Sequence, residues 1–235
     1  YYFEILQLDK SGKGSFRIGW TFPNGATEQP IPAGRLRWTP HLYSFASLPV
    51  SRLECSERLT VQQIKDSDLI LASGDPRAAS TVTVEFQSDV TTYTAFRLDA
   101  VVNEELLSNG PGLGSRGMFS LSELSLEYQE PGSTTSVPVP LDAPVAHTGI
   151  PASLVDGDVS TSWSVRGRDN ESTSVILVPE KTITVSPQTT FRLTLHQETP
   201  LGLFRVLGTA ASATWQVEAM RRQMEQAELP FALHV

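Results

Sequence analysis

GLGSRGMFSLSELSLEY, residues 112–128, decides between two folds. Its first six residues match G-x-G-x-x-G, the spacing of a dinucleotide-binding turn, which works only where a strand enters the glycines and a helix leaves them to face a pyrophosphate. What leaves them here alternates. Phe119 and Leu121 alternate with Ser120 and Ser122, then Leu124, Leu126 and Tyr128 with Ser125 and Glu127. Period-two alternation is the mark of a strand, so the glycines lead into β-structure. The phase slips by one residue at Ser122-Glu123, which predicts a β-bulge or a strand buried on both faces. Gly110, Gly112, Gly114 and Gly117 then serve a tight loop that passes close to neighbouring backbone before a core strand begins.

The same texture extends in both directions. YYFEILQL, SFRIGWTF, STVTVEF, TYTAFRLDAVV, TSVILV and TTFRLTL are rich in Val, Ile, Phe, Tyr and Thr, and the 16 glycines and 16 prolines fall mainly between such segments. The fold class is therefore all-β, an antiparallel β-sandwich or jelly roll. Leu59 to Asp66 reads equally as a helical turn or a strand. Residues 212–228 read as a helix, with Val217, Met220, Met224 and Ala227 at spacings of three and four and Pro230 closing it. The chain also echoes itself: Asp66-Ser67-Asp68, TVEF and Phe96-Arg97-Leu98 recur as Asp156-Gly157-Asp158, VILV and Phe191-Arg192-Leu193. Two related β-units, or two halves of one jelly roll, account for the echo, and proline-broken EPGSTTSVPVP connects them.

Composition narrows the partners. The chain has 235 residues, 40% hydrophobic and only 19% charged, with a net charge of -8, a balance that does not favour nucleic acid or an anionic membrane surface. No run approaches the roughly 18 apolar residues of a membrane span. Cys55 stands alone, so this chain forms no internal disulfide and carries no C-x-x-C-H haem attachment; it is expected to be a small buried apolar residue. His41, His147, His196 and His234 are far apart, and no G-x-S-x-G elbow occurs. The reading is non-enzymatic. With Tyr1-Tyr2 at its start, the chain reads as a piece of a longer polypeptide.

Three resemblances refine this picture. The opening YYFEILQLDKSGKGSFRIGWTFPNGATEQPIPAGRLRW, with its Trp20-Thr21 strand, Pro23-Asn24-Gly25 and Pro30-Ile31-Pro32, resembles the closing strands of sandwich modules of the anthrax protective-antigen type. From about 41 to 209, FRLDAVV, GPGLGSRGMFSLSE, LVDGDVSTSW and LGLFRV resemble the galactose-binding-like region of planctomycete surface proteins that also carry a cytochrome C domain. Gly110, Pro111, Gly112, Gly117, Phe119, Leu121, Ser122 and Glu123 fit that pattern, whereas Leu113, Arg116 and Met118 stand where the family has Arg, Asn and Asn. VDGDVSTSW is similar to an element of discoidin-like carbohydrate-binding sandwiches that shapes a loop often holding calcium. That resemblance implies Asp156, Asp158 and Thr161 as oxygen donors, with Glu123 closing the site. An Asx-turn, with Asp156 capping its own loop and Trp163 filling the core, is the alternative.

The resulting division is 1–38 for the antigen-type strands, 39–131 and 132–211 for the sandwich units or halves, and 212–235 for the helix and tail. The expected function is a non-catalytic module of an exported, extracytoplasmic bacterial protein that binds carbohydrate or cell-surface polymer. The second expectation is a spacer or docking domain that orients haem-bearing or catalytic domains of the same parent. Sugar binding calls for flat rings on exposed loops beside hydrogen-bonding groups. Trp38, Tyr43, Trp163 and Arg166 are the candidates, each with burial as its alternative.

Overall fold

The computed structural model describes residues 45–102, 110–146, 149, 151–165 and 172–211, together with 20–21 and 27–28. Trp38, Tyr43, Arg166 and the helix expected over 212–228 lie outside the described residues. The chain divides into two compact units, Tyr1–His41 and Leu42–Val235. In the first, β1 (Trp20–Thr21) pairs with β2 (Thr27–Glu28).

The second unit contains β3 (Ala46–Ser47), β4 (Val50–Cys55), β5 (Leu59–Gln63), β6 (Ile70–Gly74), β7 (Ser80–Ser88), β8 (Thr92–Tyr93), β9 (Ala95–Ala100) and β10 (Phe119–Gln129). There follow β11 (Val137–Pro138), β12 (Val145–Ala146), β13 (Trp163–Val165), β14 (Thr173–Leu177), β15 (Ile183–Thr184), β16 (Thr189–Thr199) and β17 (Leu203–Thr209). Among the described residues, one large sheet runs β11-β10-β16-β7-β4 with β13 also on β10, and the other runs β12-β14-β9-β17-β6-β5 with β3 also on β17. Their pairings are all antiparallel. The protein is an antiparallel β-sandwich.

Alternation builds the two layers. In β7, Val82, Val84 and Phe86 are buried while Thr81, Thr83 and Gln87 alternate with them; β16 does the same with Phe191, Leu193 and Leu195. The echoed Phe-Arg-Leu triplets fall on opposite sheets. Their rings, Phe96 and Phe191, meet in the core with centroids 5.7 Å apart. Phe86 stacks on Phe191 at 5.3 Å and Tyr93 meets it edge-on at 5.0 Å. Strands from 39–131 and from 132–211 interleave within both sheets, so these stretches form one sandwich and not two successive ones.

The phase slip in FSLSELSLEY is a bulge. Leu121 pairs with Gln197 and Glu123 with His196, leaving Ser122 as an extra residue on β10. That extra residue lets Leu121 and Leu124 both reach the core. The glycine loop ahead of it makes only a single 3-10 turn, Ser115–Gly117, before β10 begins. Gly117, at φ +67°, lies so close to Gly110 that a Cβ on it would sit 2.2 Å from the Gly110 Cα. The ambiguous Leu59 stretch is strand β5. Cys55 corrects the expectation of burial: it ends the edge strand β4, is exposed, and donates its S–H to Leu59 O at 3.0 Å. No helix among the described residues is long and apolar enough to cross a membrane.

Candidate functional site

The acidic loop, residues 155–162, leads from the 3-10 turn Pro151–Leu154 into β13. Asp156 Oδ1 accepts the Asp158 N–H at 2.8 Å, and Asp156 Oδ2 accepts the Thr161 hydroxyl at 2.8 Å. Thr161 N–H returns to Asp158 O at 3.0 Å. Asp158 Oδ1 takes the Ser160 N–H at 2.9 Å and its hydroxyl at 2.7 Å, which together hold the Asp158 carboxyl below its ordinary pKa. Glu123, presented by the strand just after the bulge, accepts the Gly157 N–H at 3.1 Å. Burial pushes the Glu123 carboxyl up; the bonds from the Gly157 and Leu124 N–H groups only partly offset this, and the nearby Asp156 charge adds to it.

The four residues that the resemblance implied for calcium are therefore brought together, but as a hydrogen-bonded turn. Both Asp156 oxygens, one Asp158 oxygen and one Glu123 oxygen already face donors within the loop. Among the described residues no three His, Cys, Asp or Glu side chains are grouped to hold a metal ion. A calcium ion wants six to eight oxygens, and here the loop's own N–H and hydroxyl groups engage these carboxylates. The geometry is that of an Asx-turn. Trp163 follows suit: it is 1% exposed, packed edge-on to Phe119 at 5.2 Å, and offers no face to a sugar.

Beside the loop lies the outer face of the β10–β16–β7 sheet. Antiparallel register sets its side chains in rows: Glu123, His196 and Thr81; Ser125, Thr194 and Thr83; Glu127, Arg192 and Glu85. Arg192 is the hub of the third row, its Nε 3.0 Å from Glu85 Oε1 and its NH1 3.0 Å from Glu127 Oε1. The bond to Glu85 raises the pKa of the guanidinium. In a fourth row Gln87 Nε2 donates to Thr190 Oγ1 at 2.8 Å. Toward the bulge, Ser120 Oγ contacts Ser164 Oγ at 2.8 Å and donates to Glu198 Oε2 at 2.9 Å. Apart from Glu123, reading for exposed aromatics missed these groups. The signal was present in the polar half of STVTVEFQ, FRLTLHQE and LSELSLEYQ, the same alternation that gave the core.

The opposite outer face is knit shut. Asp99, 6% exposed, accepts from Arg205 Nε at 2.9 Å and from Arg97 NH2 at 3.0 Å, and Arg97 lies 5.0 Å over the Phe45 ring. Arg205 also reaches Asp68 at 3.3 Å, and Asp68 accepts the Ser47 hydroxyl.

No family model and no curated protein sequence matches the chain. Among solved structures the chain is similar to one described as "structural basis for the promiscuous specificity of the carbohydrate-binding modules from the beta-sandwich super family". The identity is 10% and the TM-score 0.34, over 83% of this chain and 73% of that one.

Proposed function

We propose that the chain is a non-catalytic β-sandwich module of an exported multidomain protein and that it binds carbohydrate or a cell-surface polymer. The observation that carries this reading is the polar face. Every outward position along Glu123 to Gln129, Thr190 to His196 and Thr81 to Gln87 bears a hydrogen-bonding group, and the strands hold those groups in place before any ligand arrives. Its carboxylates are tied to structural partners: Glu85 and Glu127 to Arg192, Glu198 to Ser120, Glu123 to Gly157. Such engagement favours recognition over acid–base chemistry, which needs a poised pair. An extracytoplasmic parent akin to the planctomycete cytochrome C-domain proteins belongs to the same proposal, supported by GPGLGSRGMFSLSE and LVDGDVSTSW.

One observation favours the second reading, a spacer or docking domain. Trp163, Tyr93, Phe86, Phe96, Phe119, Phe191 and Phe204 are all packed inside the sandwich, so among the described residues the polar face shows no ring on which a sugar could stack. A polysaccharide array followed by calorimetry separates the two. Saturable binding of a polysaccharide is expected; silence across neutral and acidic polymers, with saturable binding of purified neighbouring domains of the parent, would replace this reading by the spacer.

A further inference from the structure

One cleft lies at the edge of the polar face. It has a volume of about 490 Å³, within the roughly 300–1,000 Å³ typical of small-molecule sites. Residues 137–140 line one side and 180–184 the other, and half-buried Tyr128, whose ring packs 5.9 Å from Phe191, lines it as well. The two sides are joined where Leu141 bridges Pro179 and Glu180 N–H reaches Pro140 O at 3.0 Å. Val137 there is 39% exposed, unusual for a large aliphatic side chain in this sandwich.

The strand parity of VPVP decides what the cleft accepts. Val139 N–H turns toward β10, donating to Leu126 O at 2.9 Å, so residues 138 and 140 turn their backbone groups away from β10, toward the 180–184 side. Both are prolines. That edge therefore presents no N–H, a device that blocks the addition of another peptide strand, and with Pro140 O already taken by the Glu180 N–H it leaves the Pro138 carbonyl as an acceptor for a hydroxyl group. Glu180 and Lys181 lie on the other wall, which therefore carries one charge of each sign and no net charge. Around Tyr128 the cleft adjoins a shallow dip formed with Gln129, Ser136, Thr190 and Arg192, which connects it to the polar face.

We infer that the cleft between 137–140 and 180–184, with Tyr128, is a subsite for a neutral glycan, one hydroxyl of which donates to the Pro138 carbonyl while its ring carbons rest on Tyr128 and Val137. This rests on the carbohydrate-binding reading above and supplies the apolar surface that the polar face lacks.

The test is calorimetric titration of the full 235-residue chain with cellohexaose, laminarihexaose and mannohexaose, with hexagalacturonate and a strand-forming peptide as the contrasting probes. At least one neutral hexasaccharide is expected to bind saturably, and Val137→Asp is expected to weaken it about tenfold or more, as loss of an apolar contact does. Val159→Asp, at a 66% exposed position on the acidic loop, is expected to leave it unchanged. Because Val137 is exposed, its substitution should leave the thermal midpoint in place. Undiminished binding by V137D overturns the assignment to this cleft and leaves the function standing; tighter binding of hexagalacturonate or of the peptide overturns the chemistry assigned to it. If the wild-type chain binds no glycan, the function itself falls and the subsite with it.

Discussion

Replacing Gly112 by alanine isolates what the glycines before β10 do. A Cβ built there would lie 2.1 Å from Met118 O, more than an ångström inside ordinary contact, and 2.7 Å from the N of Phe119, the first residue of a core strand. The loop is also pinned by Gly112 N–H to Gly117 O and Gly114 N–H to Met118 O, both at 3.0 Å, and by Leu113 N–H to Pro200 O at 2.9 Å. A methyl group must push these apart. Overpacking costs about 1–3 kcal/mol, and each weakened hydrogen bond adds roughly 0.5–1.5 kcal/mol, so G112A should lose about 3 kcal/mol. For a domain of this size that lowers Tm by roughly 6–12 °C. Gly132 is the contrast: its φ of +76° is unsuited to alanine, but a Cβ there meets nothing within 4 Å, whereas at Gly112 the obstacle is the close contact alone. G132A should cost only about 1 kcal/mol of left-handed strain, or roughly 2–4 °C. Differential scanning calorimetry at neutral pH, with and without added NAD or ATP, reads both variants. A G112A protein as stable as wild type, or a wild type whose Tm rises with nucleotide, refutes the claim that these glycines are there for close backbone approach.

Other expectations follow from particular residues. Glu130 accepts from Ser186 N–H at 3.1 Å and Thr189 Oγ1 at 3.0 Å, and its hydrogen bonds with Ser186 and Thr189 hold its carboxyl below the ordinary range. A lowered folded pKa contributes stability that is present above the unfolded value and is lost as pH falls through the folded one, so E130Q should be less stable than wild type at neutral pH and the gap in Tm should close below about pH 4.5. Glu123, with its raised pKa, runs the other way, its contribution present in acid and lost as pH rises through the folded value; a wild-type to E130Q gap that widens in acid would refute this assignment. Deleting Ser122 removes the bulge and turns Phe119 and Leu121 to the wrong face, at about 1.5–3 kcal/mol for each side chain exposed; soluble, cooperatively unfolding protein from that deletion would contradict the register. Added calcium, or its removal by chelator, should leave Tm where it is, and a calcium-dependent rise would show that the Asp156 loop binds an ion after all.

The sequence by itself determined the layers. Alternation in STVTVEF and TTFRLTL, and on either side of the slip in FSLSELSLEY, determined which side chains face inward, because side chains on a pleated strand have no third direction to take. It placed an irregularity at Ser122-Glu123, a bulge or a strand buried on both faces, and identified the glycines as a tight loop, since both are local backbone facts. The tertiary structure decided which strands became neighbours. No local pattern states that Phe96 and Phe191 should meet across the core, that Arg192 should stand between Glu85 and Glu127, or that Tyr128 should adjoin Lys181, because each of those pairs joins residues far apart in the chain. Aromatic rings misled for the same reason. Trp163 has the chemistry of a sugar platform, but pairing of Trp163 with Leu121 on β10 carries it into the core, where its large apolar surface is worth more out of water than at a binding site.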